Sequence, residues 1–113
     1  MKKLLSLIGL VVIGCASAPV INPDAWTTYE SILREAEIAG ATAVPEAQLH
    51  LTLAREQMQV AKELEADGDP RAKLVLARAQ ADAEVARAVA REAKARGEAA
   101  DAALELKSVG GVR

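Results

Sequence analysis

Asp67-Gly68-Asp69-Pro70 joins two long helical patterns, and its reading decides the fold. Glycine accepts the left-handed backbone that ends many helices, so Gly68 closes the pattern before it. Asp69 can cap the next helix. Pro70 can open it, because the N–H that proline lacks has no partner at the first helical position. So short a connection folds the second helix back along the first, which predicts an antiparallel helical hairpin.

Upstream of the turn, Pro45-Glu46 starts a pattern that runs to about Ala66. Its apolar stripe is Ala47, Leu51, Ala54, Met58 and Ala61, widened by Leu53, Val60 and Leu64. Downstream, a helix from Pro70 to about Leu106 carries Ala72, Leu76, Ala79, Ala83, Ala86, Ala90, Ala93, Gly97, Ala100 and Leu104 at alternating steps of four and three. That spacing is a heptad seam built mostly of alanine, which allows close helix approach but buries little area per residue. Glu84, Arg87, Arg91, Lys94 and Glu98 form a charged stripe on another face, and Glu92 precedes Arg96 at the favourable spacing.

Nearer the N-terminus, Asn22-Pro23-Asp24 reads as cap, first helical residue and first-turn carboxylate. The helix it opens runs to about Ala39, with Tyr29, Leu33 and Ala36 on one face and Trp26 and Ile32 beside them. Gly40 stops it, and Ala41 to Val44 form a short connector. There is no Phe, one Trp and one Tyr, against 25 alanines. Alanine has the highest helix propensity, so the fold class is all-α, a small three-helix antiparallel bundle or helical hairpin with a long Ala-rich C-terminal helix. A core so poor in aromatics makes a thin domain of modest stability.

The hairpin arms are unequal. The third helix spans about 55 Å and the second about 33 Å at ~1.5 Å per residue. The region from about Glu92 to Leu106 is therefore expected to outrun its partners. It carries Gly97, Ala100, Leu104 and Leu106 as candidate contacts for a protein partner or a second copy.

The first residues carry a different message. Met1-Lys2-Lys3 is cationic, and Leu4 to Ile13 is a mostly apolar run with the length of an export-signal core. It is shorter than the ~20 apolar residues a spanning helix needs. Val12, Ile13, Gly14 and Cys15 then follow the order aliphatic, variable, small, Cys. They resemble the bacterial lipoprotein box. The resemblance implies a diacylglyceryl thioether on Cys15, cleavage before it, and N-acylation of the new terminus. Each buried acyl methylene adds ~0.8 kcal/mol of membrane affinity, and two or three chains hold firmly where one does not. Cys15 is the only cysteine, so no internal disulfide can form, and lipidation accounts for an unpaired thiol in an exported chain.

The expected organisation is a signal peptide over residues 1–14, a lipidated tether over 15–22, a helical domain over 23–107 and a flexible tail over 108–113. Ala16 stands where an Asp often retains such proteins at the inner membrane. The expected place is thus the bacterial cell envelope, lipid-anchored on the outer membrane and facing the periplasm. If helix one packs antiparallel to helix two, the tether lies near Gly68 and the overhang points away from the membrane.

Loss of Lys2 and Lys3 with the signal lowers the basic count from 14 to 12 against 16 acids. That mild acidity speaks against a nucleic-acid partner. His50 is the only histidine and has Glu46 one turn away, but no second His or free Cys, so it reads as an ordinary helix-face residue rather than a metal ligand. Glu63, Glu65, Asp67 and Asp69 lack calcium-loop spacing and read as capping and solvated acids. Ser17, Ser31 and Ser108 have no histidine placed with them, and the seven glycines form no phosphate loop. No catalytic residues, metal ligands or cofactor beyond the covalent lipid are expected.

Pro45-Glu46, Leu51, Ala54, Met58 and Ala61, Gly68-Asp69, then Ala79, Asp82-Ala83-Glu84 and Ala86 together resemble short bacterial helical lipoproteins of a domain-of-unknown-function family, number 4398. The resemblance runs from Trp26 to about Arg96. It implies location and fold, with no established activity. Some relatives carry a following peptidoglycan-binding domain, and none is expected in the few residues after helix three. The expected function is a structural or interaction lipoprotein, a spacer or adaptor. The alternative is a small-ligand or lipid-binding module using a groove lined by Trp26, Tyr29 and Leu53, which needs a cavity of ~300 Å³ or more.

Overall fold

The computed structural model describes residues 20–111. Three helices follow in order, α1 (Pro23–Ile38), α2 (Pro45–Ala66) and α3 (Ala72–Gly110), with a single 3₁₀ turn over Ala41–Ala43 between the first two. The fold is the all-α three-helix bundle that the turn and the alanine content predict.

Local chemistry sets each boundary. The Asn22 side chain accepts from the Asp24 N–H at 3.0 Å, and Pro23 takes the first helical position. Gly40 ends α1 with φ of 92°, a conformation that costs residues bearing a Cβ about 1–2 kcal/mol. Val44 is extended, as a residue before proline prefers, and Pro45 opens α2. At the far end of α2, Gly68 sits at φ 69°. Its N–H reaches the Glu65 carbonyl at 3.0 Å and the Asp69 N–H reaches the Leu64 carbonyl at 2.8 Å. These crossed bonds form a Schellman motif, which satisfies carbonyls the helix end would leave bare.

Asp69 caps the start of α3, its Oδ1 accepting from the Arg71 N–H at 2.8 Å. The Arg71 guanidinium also folds back onto this carboxylate, with Nη2 2.6 Å from Oδ2. Those hydrogen bonds hold the Asp69 carboxyl below its ordinary range and raise Arg71. Regular helix begins at Ala72 rather than Pro70, because Pro70 and Arg71 form the cap turn. The other end runs to Gly110, about a turn past the expected Leu106. There the Ser108 hydroxyl donates to the Glu105 carbonyl at 2.7 Å and Lys107 complements the last turn.

Cross-helix bonds fix the helix directions. Gln80 Nε2 donates to the Ala25 carbonyl at 2.9 Å, and Arg87 Nη1 reaches Glu35 at 2.7 Å. α1 therefore runs parallel to α3. Arg55 pairs with Glu37, consistent with α1 lying antiparallel to α2. The core divides into two clusters along the bundle. The first joins Ile21, Tyr29, Ile32, Ala54 and Ala61 with Ala72, Leu76, Ala79 and Ala83. The second joins Ala36, Ala41, Ala47 and Leu51 with Ala86 and Ala90. Ile21 shares the first cluster with Ala72, so the chain enters α1 toward the Gly68 end. The expected stripes hold with one correction. Val60 was placed on the widened apolar face of α2 but is 46% exposed, because the arc covered by α1 and α3 is filled by Leu51, Ala54 and Ala61.

Among the described residues, no helix is long and apolar enough to cross a membrane.

Candidate functional site

The surface that distinguishes this bundle is the free half of α3. α3 has 39 residues against 22 in α2, about 58 Å against 33 Å. Its seam is buried from Ala72 to Ala90 and half-buried at Ala93. From Lys94 to Gly110 every residue is exposed. Gly97, Ala100, Leu104 and Leu106 all lie on this overhang. Leu104 is 65% and Leu106 74% exposed, and a Cβ added at Gly97 would meet no heavy atom within 4 Å. Leu104 continues the heptad seam, while Leu106 lies on another face of the same helix.

Helix this far from tertiary contacts needs local support, since isolated helices below ~12–15 residues are marginal in water. The bundled half of α3 supplies the costly nucleus, and alanine keeps propagation favourable. Glu92 pairs with Arg96, and Lys94 lies 3.9 Å from Glu98. Pairs at this spacing add about 0.2–0.5 kcal/mol each.

The sequence reading missed the most developed polar contact. His50 Nδ1 donates to Asp82 Oδ1 at 2.8 Å, and Gln57 Nε2 donates to Asp82 Oδ2 at 2.8 Å. One carboxylate thus ties together two positions on α2, seven residues apart on one face. Asp82 stood in the quoted Asp82-Ala83-Glu84 stretch, yet nothing local to it indicates a bond to His50. The Glu46 neighbour considered for His50 takes no part in this contact. Arg87 and Arg91 of the expected charged stripe converge on Glu35 from α3, at 2.7 and 3.4 Å.

Of the expected groove residues, Trp26 packs against the core cluster that contains Tyr29. Tyr29 is wholly buried, and its hydroxyl has no hydrogen-bond partner among the described residues. Burial raises its pKa above 10.0, with Arg55 opposing and Glu30 and Glu37 adding to the rise. Tyr29 borders a shallow groove of about 270 Å³ with Glu30, Leu33, Arg34, Glu37 and Met58, while Trp26 and Leu53 do not line it. A second groove of about 240 Å³ lies between the end of α1 and α3, at Glu35, Ile38, Ala39, Arg91 and Lys94. Both fall below the ~300 Å³ typical of a small-molecule site. No group of three or more possible metal ligands occurs among the described residues. Val12, Ile13, Gly14 and Cys15 lie outside them, as does Ser17.

These features define a small Ala-rich helical bundle whose longest helix projects well past its partners. The chain belongs to the family described as Domain of unknown function (DUF4398), which it matches over residues 30–102. No curated protein matches it, and no solved structure matches it.

Proposed function

We propose that this chain is a lipid-anchored protein of the bacterial cell envelope that acts as a spacer or adaptor, making contact through the distal half of α3. The anchor rests on the motif Val12-Ile13-Gly14-Cys15 behind an apolar run of signal-peptide length. Lipidation at Cys15 holds the chain at a membrane, the outer one by virtue of Ala16, with the domain in the periplasm. The contact role rests on one observation above all, a continuous exposed helix from Lys94 to Gly110 that carries Leu104 and Leu106. Large apolar side chains cost little when exposed singly, but several on one unsupported helix suit a helix-to-helix contact.

The direction of the bundle supports the same reading. The chain enters beside the Gly68 turn and the overhang leaves from the opposite end, so a tether at residues 15–22 directs the free helix away from the membrane. A ligand-binding role has less support, because neither groove encloses a volume that would bury a small molecule. Ending the chain after Ala95 tests the proposal. The bundle is expected to unfold at nearly the same temperature while crosslinks to other envelope proteins disappear. Unchanged crosslinks in the shortened chain would refute it.

A further inference from the structure

The face of α3 turned away from α1 and α2 ought to be polar, as the outer face of a surface helix usually is. It is not. Opposite the buried seam, a second heptad-spaced row runs from Leu74 to Val109 and is apolar at every position except Arg78 and Glu92. Leu74 is 55% and Val85 40% exposed, and Ala81 between them and Ala88, Ala95 and Ala99 beyond are exposed too. Among the described residues, none covers this row. Glu92 pairs only with Arg96 on its own helix, and Arg78 has no ion-pair partner among the described residues.

The two interruptions carry opposite charge and lie at equal distances on either side of Val85. We propose that this face is the seam of a homodimer, in which α3 of one copy packs antiparallel against α3 of a second. In the register that seats Val85 on the second copy's Ala88, Leu74 rests on the second copy's Ala99. Arg78 then falls one layer from the second copy's Glu92. Along the flank, Glu84 falls beside the second copy's Arg91. The two-fold axis repeats each pairing, so four opposite-charge contacts line the seam. A parallel dimer would set Arg78 against Arg78, Glu92 against Glu92, and Arg91 beside the second copy's Arg96. Charge complementarity therefore selects a second copy of this chain and its orientation. Alanine at most contact positions lets the helices approach closely, and the row from Leu74 to Ala99 offers about 38 Å of helix to bury. The axis sends the two distal ends, and with them the two tethers, in opposite directions. A dimer anchored through both copies therefore lies along the membrane, whereas a single anchored copy points its free helix away from it.

The inference does not depend on the distal contact proposed above. Ending the chain after Ala95 removes only the outermost layers of this seam, so the two readings fail separately. Sedimentation equilibrium of the full chain in a mild non-ionic detergent, which prevents the apolar stretch 4–13 from driving association, should show a dimer. Arg78→Glu creates two like-charge contacts across the seam and should weaken dimerisation about tenfold. Adding Glu92→Arg should restore it to within about threefold, since the pairing is rebuilt with reversed signs. Arg78 touches no other helix through an ion pair, so helical content should be constant throughout. A monomeric full chain, a dimer indifferent to Arg78→Glu, or a double variant no tighter than the single one would overturn the proposal.

Discussion

Replacing Tyr29 with Phe should stabilise this protein, although Tyr29, like Leu51, is a large side chain that is fully buried. The ring belongs to the larger core cluster, with Ile32, Ala54 and Ala83, and Phe retains its place there. The hydroxyl is buried without a hydrogen-bond partner among the described residues. Leaving such a group unpaired costs about 1–3 kcal/mol, so its removal should raise stability by about 1 kcal/mol after small losses in ring fit. In a domain of this size that is about 4–8 °C in Tm. Thermal unfolding followed by circular dichroism reads the change directly. Alkali supplies a second readout. The Tyr29 pKa lies above 10.0 in the folded chain because burial disfavours the phenolate. Above pH 10 the unfolded chain gives up this proton while the folded chain keeps it, so stability falls as pH climbs toward the folded value. Tyr29→Phe should lack that component of the alkaline loss. A variant destabilised by about 1 kcal/mol or more would refute the reasoning, since it would mean that the hydroxyl is satisfied.

Two further substitutions probe α3. Asp82→Ala removes the acceptor that His50 Nδ1 and Gln57 Nε2 share and should cost about 2 kcal/mol, allowing for the partial exposure of the carboxylate, with a Tm lower by about 10 °C. Asp82→Asn keeps one acceptor oxygen and should lose about half as much; equal melting of all three chains would remove the clamp from the account. Gly97→Ala adds a Cβ into open space within a helix, so it should raise distal helicity by about 0.5–1 kcal/mol while weakening any contact that needs close approach there. Hydrogen exchange on residues 94–110 and crosslinking measure the two effects separately.

The helix boundaries were legible because each depends on neighbours in sequence. Asn22-Pro23, Gly40, Val44-Pro45 and Gly68 set caps and turns through their own backbones, and the structure places them within a residue or two of expectation. The unequal arms were legible for the same reason. What required the structure was the rotation of one helix about another. The bond between His50 and Asp82 joins residues 32 apart in the chain, and no periodicity specifies it. Val60 illustrates a related limit, since an apolar residue at the margin of a stripe can face the core or water depending on crossing geometry. Alanine blurs faces further. It fits a buried seam and an exposed surface equally well, so the outer row of α3 became visible only once the inner one was assigned by burial.

The central claim is that the distal half of α3 makes the contacts that matter. The most direct measurement places a photocrosslinking residue at Leu104 in the full chain, in intact cells, with Leu49 on α2 as the comparison. Both side chains are well exposed, at 65% and 58%. The account predicts strong, discrete adducts from position 104 and few from position 49. Equal adducts from the two positions, or none from 104, would contradict it.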